Sequence, residues 1–173
     1  TNESRRKWQY TCKYRVLPRC FGTYRFRDQK FPVAEIEEIC IANKTMPYED
    51  YQDCRKFDLT VEIFNNDSIL ADLMSFLRMN NIKRSDLIEK IHEISINHPT
   101  FGKFYEEFNA EEKKNLAINP DPLEEFTKKP GIMQKYIDGE YGTNELYKYR
   151  VIGIFHHMEV LHQIVLKNEL EYL

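Results

Sequence analysis

The spacing of apolar residues changes once along this chain, and that change limits the folds open to it. Over residues 8–16 apolar and polar side chains alternate, which predicts a β-strand with one face on a core. From residue 48 the apolar residues recur at intervals of three and four, the spacing of an amphipathic helix. The sequence therefore predicts a small β region followed by a helical one. The apolar positions of the first strand are Trp8, Tyr10, Cys12, Tyr14 and Val16.

Three strands are predicted in the first forty residues. Pro18, Gly22 and Pro32 interrupt the pattern, and they leave the segments WQYTCKYRV, TYRFR and AEIEEICIAN as separate strands. These strands make either a small antiparallel set or the edge of a sheet whose remainder is missing. Both alternatives are compatible with the sequence.

Helices are predicted over most of residues 48–173. Pro47, Glu49 and Asp50 favour a helix start, and this helix is expected to cover residues 48–65. Residues 65–68 are expected to end it and to cap the next helix. Further helices are expected to begin near residues 70, 85 and 100. His98 and Pro99 are expected to end the helix that begins near residue 85. A loop with one turn of helix is predicted for residues 118–131. A short helix is predicted for residues 132–138, and one long helix for residues 143–173.

The predicted fold class is α+β, mainly a helical bundle preceded by a small antiparallel β region. The expected domains are residues 1–44, the β region and the edge of a larger upstream domain, and residues 45–173, a helical C-terminal domain. The chain does not begin with Met and ends inside a helical pattern, so we expect it to be a fragment of a longer protein.

Charge and hydropathy argue against two classes of partner. The chain of 173 residues has a net charge of −3 and a pI near 6.0, whereas nucleic-acid surfaces are normally basic. The basic run Arg5-Arg6-Lys7 is interpreted as the solvated end of an element. No apolar stretch approaches the roughly 20 residues of a membrane span. We therefore expect a cytoplasmic protein with no nucleic-acid or membrane partner.

The four cysteines are expected to be free thiols in a reducing compartment. Cys12, Cys20, Cys40 and Cys54 form no Cys-x-x-Cys pair, so a cysteine metal centre is not predicted. Cys12 and Cys40 lie in apolar strand patterns, where cysteine acts as a small buried hydrophobe.

Two Glu-x-x-His motifs are the sharpest local pattern. Di-iron carboxylate bundles place this motif on facing helices, here Glu89 with His92 and Glu159 with His162. At about 100° per residue, however, Glu89 points away from the apolar face of its predicted helix, and Glu159 lies towards solvent. Solvated or flanking residues are the favoured interpretation, and a di-metal site is the lesser alternative.

No other motif predicts a catalytic, cofactor or metal site in this chain. His156 and His157 are adjacent, so on a helix they point about 100° apart and cannot share a face with His162. A partly buried histidine is the favoured interpretation. The glycines form neither a dinucleotide fingerprint nor a phosphate loop, and no serine lies in a nucleophile elbow.

The stretch ICIANKTMPYEDYQDCRKF, continuing through DLTVEIFNNDSILADLMSFLRMNNI, resembles the region after the catalytic barrel in radical SAM proteins. In that group a strand ends in a Ser/Thr-Met-Ser-like turn, and an acidic residue, an aromatic, an Arg and a Phe follow. Leu-Arg then ends the next helix, as Leu77-Arg78 does here. The corresponding residues are Thr45-Met46-Pro47, Glu49-Asp50, Tyr51, Arg55 and Phe57. Pro47 departs from the usual Ser, so the cap role passes to Thr45 or is lost.

The resemblance covers residues 8–98 in character and is clearest over residues 36–82. It implies a parent similar to an iron–sulfur oxidoreductase or methyltransferase that cleaves S-adenosylmethionine reductively, in many members with a cobalamin-binding domain. The four-iron cluster of such enzymes is held by Cys-x-x-x-Cys-x-x-Cys, which this sequence lacks. The resemblance therefore implies an accessory domain on the substrate side, whose partner is the upstream catalytic domain of the same polypeptide. Arg55 and Lys56 are then expected to make surface or inter-domain contacts.

Two alternatives stay open. One is a free-standing helical binding module, and the other is a di-metal helical-bundle enzyme that uses the two Glu-x-x-His motifs.

Overall fold

The computed structural model describes residues 1–66 and 69–172, with side chains through Leu166. Over these residues the chain forms nine helices and a two-stranded antiparallel sheet, which confirms the predicted α+β, mainly helical fold class. The predicted helix end and cap at residues 65–68 includes Asp67 and Ser68, which lie outside the described residues. The elements in chain order are α1 Asn2–Trp8, β1 Thr11–Phe26, β2 Gln29–Ala42, α2 Tyr48–Phe64, α3 Ala71–Met79, α4 Arg84–Asn97, α5 Pro99–Lys114, α6 Asp121–Lys128, α7 Ile132–Ile137, α8 Glu145–His156 and α9 Met158–Tyr172.

The chain divides into two compact units. The first contains residues 1–51 and 112–144, and the second contains residues 52–111 and 145–173. The first unit thus combines the hairpin with α6 and α7, while the second is helical. The domain boundary expected after residue 44 concerns a longer protein, and it stays a prediction.

Helix α1 was not predicted. The Thr1 side chain accepts a hydrogen bond from the Ser4 N–H, and Gln9 ends the helix with a left-handed φ of 53°. Trp8 therefore ends a helix and does not begin a strand. Arg5, Arg6 and Lys7 occupy the last turn, where cations favour the negative end of the helix dipole.

The prediction of three strands is wrong, because β1 and β2 form one long hairpin. The strands join through Arg27 and Asp28, and Phe26 pairs with Gln29. Each strand of a two-stranded sheet has a free edge, so a proline does not have to end it. Pro32 pairs with Thr23 inside the ladder, and Pro18 lies in the register shift between Val16 and Phe21.

The core of the first unit forms where β1 meets α7. Val16, Met133 and Tyr136 are buried together, and Phe21 and Phe126 pack against them. β1 is also held at its other edge, because Tyr14 exchanges two backbone hydrogen bonds with Ala117, at 2.9 and 2.7 Å.

The second unit has a larger, aromatic core. Phe101, Tyr105 and Phe108 are buried side chains of α5, and Leu59 and Ile91 bring α2 and α4 against the same core. Since each of these helices contributes apolar residues at helical spacing, the hydrophobic period found in the sequence matches the observed core.

Two helix predictions need correction. Residues 118–131 hold the eight-residue helix α6, which is more than one turn, with Pro122 in its tolerated first turn. The long helix expected from residue 143 is divided at His157 into α8 and α9. The His157 ring packs against Phe101 and Phe104, at centroid distances of 5.8 and 5.4 Å, and this packing accompanies the break.

Candidate functional site

A buried polar cluster lies in the helical unit, around Thr60 of α2. The Thr60 side chain is fully buried, as are Tyr105 of α5 and Ser95 of α4. Thr60 Oγ1 lies 2.7 Å from the Tyr105 hydroxyl and 2.7 Å from His92 Nδ1. We call Thr60, His92 and Tyr105 the α2–α4–α5 polar cluster, because each residue comes from a different one of these helices.

The hydrogen-bond directions in this cluster follow from the number of protons available. Thr60 Oγ1 is 3.1 Å from the Lys56 carbonyl oxygen, which can only accept. A hydroxyl has one proton, so Thr60 donates it to Lys56 and accepts from both Tyr105 and His92. The neutral His92 ring therefore carries its proton on Nδ1, and its lone pair is on Nε2.

Burial favours the neutral form of both ionisable members of the cluster. It lowers the pKa of His92; Asp53 opposes this change, and Lys56 adds to it. Burial also raises the pKa of Tyr105 to about 12, although the hydroxyls of Thr60 and Ser95 act in the opposite direction. The rings of Phe57 and Tyr105 lie edge-on to His92, at 5.1 and 5.9 Å. A neutral, hydrogen-bonded network of this kind holds three helices in one arrangement.

The first Glu-x-x-His motif is divided between this cluster and solvent. His92 is half-buried in the cluster, whereas Glu89 is exposed. In the second motif, Glu159 and His162 are both exposed. Although α4 packs against α9, no group of three or more His, Cys, Asp or Glu within residues 1–66 and 69–172 could hold a metal ion. The di-metal interpretation stays a prediction.

The other predicted histidine group is separated in the same way. His156 is exposed at the end of α8, and His157 is half-buried against aromatic rings of α5. The two adjacent histidines thus have different surroundings, but the sequence argument placed both on one helix, whereas His157 lies at the break between α8 and α9.

The junction between β2 and α2 is organised by Asn43. Its Oδ1 accepts hydrogen bonds from the Thr45 N–H at 2.9 Å, the Thr45 hydroxyl at 2.9 Å and the Met46 N–H at 3.2 Å. The Asn43 N–H also donates to the Met46 carbonyl oxygen at 2.8 Å. Sequence reasoning missed this role, although Asn is a residue that commonly closes turns through its side chain.

Arg55 and Lys56, which follow the junction, contact neighbouring helical residues. Arg55 forms an ion pair with Asp58 at 2.7 Å, and its guanidinium lies 5.8 Å from the Phe108 ring centre. Lys56 forms an ion pair with Glu106 at 2.8 Å, which joins α2 to α5. These contacts support a structural role for both side chains.

Comparison with protein-family models, with curated proteins and with solved structures found no match to this chain. No helix within the described residues combines the length and the apolar character needed to cross a bilayer.

Proposed function

We propose that this chain is a C-terminal accessory domain of a radical SAM enzyme, an iron–sulfur oxidoreductase or methyltransferase located in the cytoplasm. In this proposal the catalytic barrel belongs to a preceding part of the same polypeptide. That part would carry the four-iron cluster, S-adenosylmethionine and, where it is used, cobalamin. The accessory domain would close the substrate side of the barrel.

The observation that carries the proposal is the strand–turn–helix junction over residues 36–64. The residue pattern that resembles the radical SAM group falls on one continuous local structure: the end of β2, the Asn43 turn and the start of α2. Thr45 and Met46 lie in the turn, and Arg55 and Phe57 lie on the helix. A pattern of residues that follows consecutive local elements of the chain supports common ancestry better than scattered matches do.

A second observation supports a role beside another protein body. In the distal half of the hairpin, the ladder places Tyr24, Phe26, Phe31 and Val33 on one face. These four side chains are 63, 66, 43 and 43% exposed. We call them the outer aromatic face. Clustered exposed apolar side chains mark surfaces that contact other proteins.

The distal half also carries cations, which lie at the turn or on the face opposite the outer aromatic face. Arg25 lies directly opposite Lys30, and Arg27 follows at the turn. No acidic side chain forms an ion pair with Arg25 or Lys30 in the part of the chain that the structure describes. A partner that also contacts this second face would complement these cations if it carried Asp or Glu there. We assign this surface to the catalytic domain of the same polypeptide.

The first test is to read the open reading frame that precedes Thr1. A Cys-x-x-x-Cys-x-x-Cys motif after a predicted strand would support the accessory-domain proposal. A start codon within a few residues of Thr1 would contradict it and would favour the free-standing binding module. Metal analysis of the purified protein would then test the di-metal alternative, which requires bound iron or manganese.

The second test uses the full-length polypeptide, purified and assayed without oxygen. We expect Tyr24→Ser/Phe31→Ser to reduce substrate turnover several-fold while the iron content stays unchanged, because the outer aromatic face contacts the catalytic domain. Phe155→Ser is the matched control, since Phe155 is 77% exposed and lies on α8. Equal effects of the two changes would contradict the assignment of the docking surface.

A further inference from the structure

Two of the four cysteines lie directly opposite each other in the hairpin. Cys12 of β1 pairs with Cys40 of β2, both are half-buried, and both are free thiols. Residues paired across an antiparallel ladder project from the same face of the sheet. Their Cβ atoms are typically about 4.5–5.5 Å apart, so the two side chains are neighbours.

This spacing is close to what a disulfide needs. Directly opposed residues have Cα atoms about 4.5–5.5 Å apart, and disulfides span Cα distances of about 4.4–6.8 Å. The ladder therefore brings the backbone positions within range. The register shift between Thr11 and Cys12 places an irregularity beside the pair, where small backbone adjustments are tolerated.

The other two cysteines have no such relation. Cys20 lies between Val16 and Phe21, where the register is interrupted and no partner residue is opposite. Cys54 is exposed on α2. Only Cys12 and Cys40 are thus paired by the ladder within the described residues.

The surroundings of Cys12 favour its protonated, thiol form. Burial raises the pKa of Cys12, as does its hydrogen bond with Glu38, and the nearby Arg5 only partly opposes this. Arg5 Nη1 lies 3.7 Å from Cys12 Sγ, and Cys40 Sγ donates to the Ala42 carbonyl oxygen at 3.3 Å. Because the thiolate is the attacking species, oxidation accelerates as the pH rises.

We propose that Cys12 and Cys40 form a reversible cross-strand disulfide that responds to low-molecular-weight disulfides. One cysteine loses its proton, and its thiolate attacks the small disulfide and releases one small thiol. The second cysteine then attacks the mixed disulfide, forms the Cys12–Cys40 bond and releases the second small thiol. Two protein thiols are oxidised and one small disulfide is reduced to two thiols, and the protons leave the cysteines for the released thiolates.

The disulfide would lie between two features that order the base of the hairpin. Arg5 of α1 binds Glu38 close to Cys12, and the Asn43 turn follows Cys40 after two residues. Closing the bond would fix β1 against β2 at this position and restrict the unfolded chain between residues 12 and 40. We therefore expect a higher Tm after oxidation. This inference does not depend on the proposed function.

The test uses the Cys20→Ser/Cys54→Ser protein, which keeps only the proposed pair. It is incubated with glutathione disulfide under native conditions and analysed by intact mass and peptide mapping. We expect loss of two hydrogens, a Cys12–Cys40 cross-link, no retained glutathione, and reversal by a thiol reductant. Stable glutathione adducts, or no reaction, would overturn the proposal.

A register control separates geometry from general flexibility. In Cys20→Ser/Cys54→Ser/Cys40→Ser/Ile39→Cys, the second thiol moves by one residue to the opposite face of β2. We expect glutathione adducts and no internal cross-link. Equal cross-linking in this control would overturn the argument from pairing. If either variant fails to fold by circular dichroism, peptide mapping of the oxidised wild-type protein decides the outcome, since Cys12–Cys40 must predominate over every other pair.

Discussion

The two halves of the hairpin have the same secondary structure but are stabilised differently. In the half near α1, Arg15 lies opposite Glu37 and binds it, Glu38 binds Arg5, and Val16 is buried. In the half near the turn, Arg25 lies opposite Lys30, and the aromatic pair Tyr24–Phe31 is exposed. We call these the proximal half, residues 11–16 and 36–42, and the distal half, residues 21–26 and 29–34.

This difference shows in which half of the hairpin the side chains have stabilising partners among the described residues. Opposite charges and buried apolar side chains stabilise a strand pair, whereas like charges directly opposite each other destabilise it. In the proximal half, charged side chains have oppositely charged partners and Val16 is buried. Phe21 and Ala34 of the distal half pack against the core, but nearer the turn this half combines a repulsive pair with exposed aromatic rings, as a surface that contacts another molecule does. Three sets of substitutions in the hairpin test this difference.

The largest expected effect is loss of packing in the proximal half. Val16 is 6% exposed and Val33 is 43% exposed, so the same truncation probes both halves. We expect Val16→Ala to lower the free energy of unfolding by about 2 kcal/mol, because it leaves a cavity beside Met133 and Tyr136. Val33→Ala should change it by less than about 0.5 kcal/mol. Urea denaturation followed by fluorescence of Trp8, the single tryptophan, measures both variants.

Equal losses in the two valine variants would mean that the distal half is packed as tightly as the proximal one. The assignment of the outer aromatic face as a docking surface would then lose its basis.

A second, smaller effect should appear as pH dependence in the proximal half. Hydrogen bonding to Arg5 lowers the pKa of Glu38 from 4.5 to about 2. The unfolded chain therefore binds more protons than the folded chain between these values, and stability rises with pH there. The contribution is complete above the unfolded pKa and is lost as the pH falls towards the folded one.

The measurement compares wild-type protein with Glu38→Gln by Trp8-monitored denaturation across the acid range. We expect wild type to be more stable near neutral pH and this advantage to shrink as the pH falls through the two pKa values. Val33→Ala serves as a control, since it leaves the pair intact and should follow wild type. An advantage that stays constant with pH would show that Glu38 acts through packing and not through its charge.

The sequence predicted those parts of the fold that have a hydrophobic period. α2 and α4 were found because apolar residues recur at helical spacing and because Pro47 and His98-Pro99 mark their ends. Helix α1 has no buried residue, so it leaves no such period. The long strands were missed because a proline tolerated at a free edge has the same sequence signature as one that ends a strand.

The polar cluster was only partly accessible from sequence. His92 was noticed through its Glu-x-x-His spacing, but the favoured interpretation was a solvated or flanking residue, with a metal ligand as the lesser alternative, and neither predicted a partner of Thr60. Thr60 is separated from His92 by 32 positions and from Tyr105 by 45. No local spacing rule links residues so far apart, because tertiary packing of three helices brings them together. The same reason explains why the break at His157 was missed.

The smallest expected effect concerns the like-charge pair of the distal half. Lys30→Glu replaces repulsion with an attractive pair opposite Arg25, and we expect a gain of about 0.5 kcal/mol in the free energy of unfolding. Lys30→Gln, the matched control, removes the repulsion without adding attraction and should give a smaller gain. If the full-length protein also loses activity in Lys30→Glu but keeps it in Lys30→Gln, an acidic partner surface lies against this half. A loss of stability in Lys30→Glu would instead mean that Lys30 already has a favourable role in the free chain, and the contrast between the two halves would rest on the exposed aromatic rings alone.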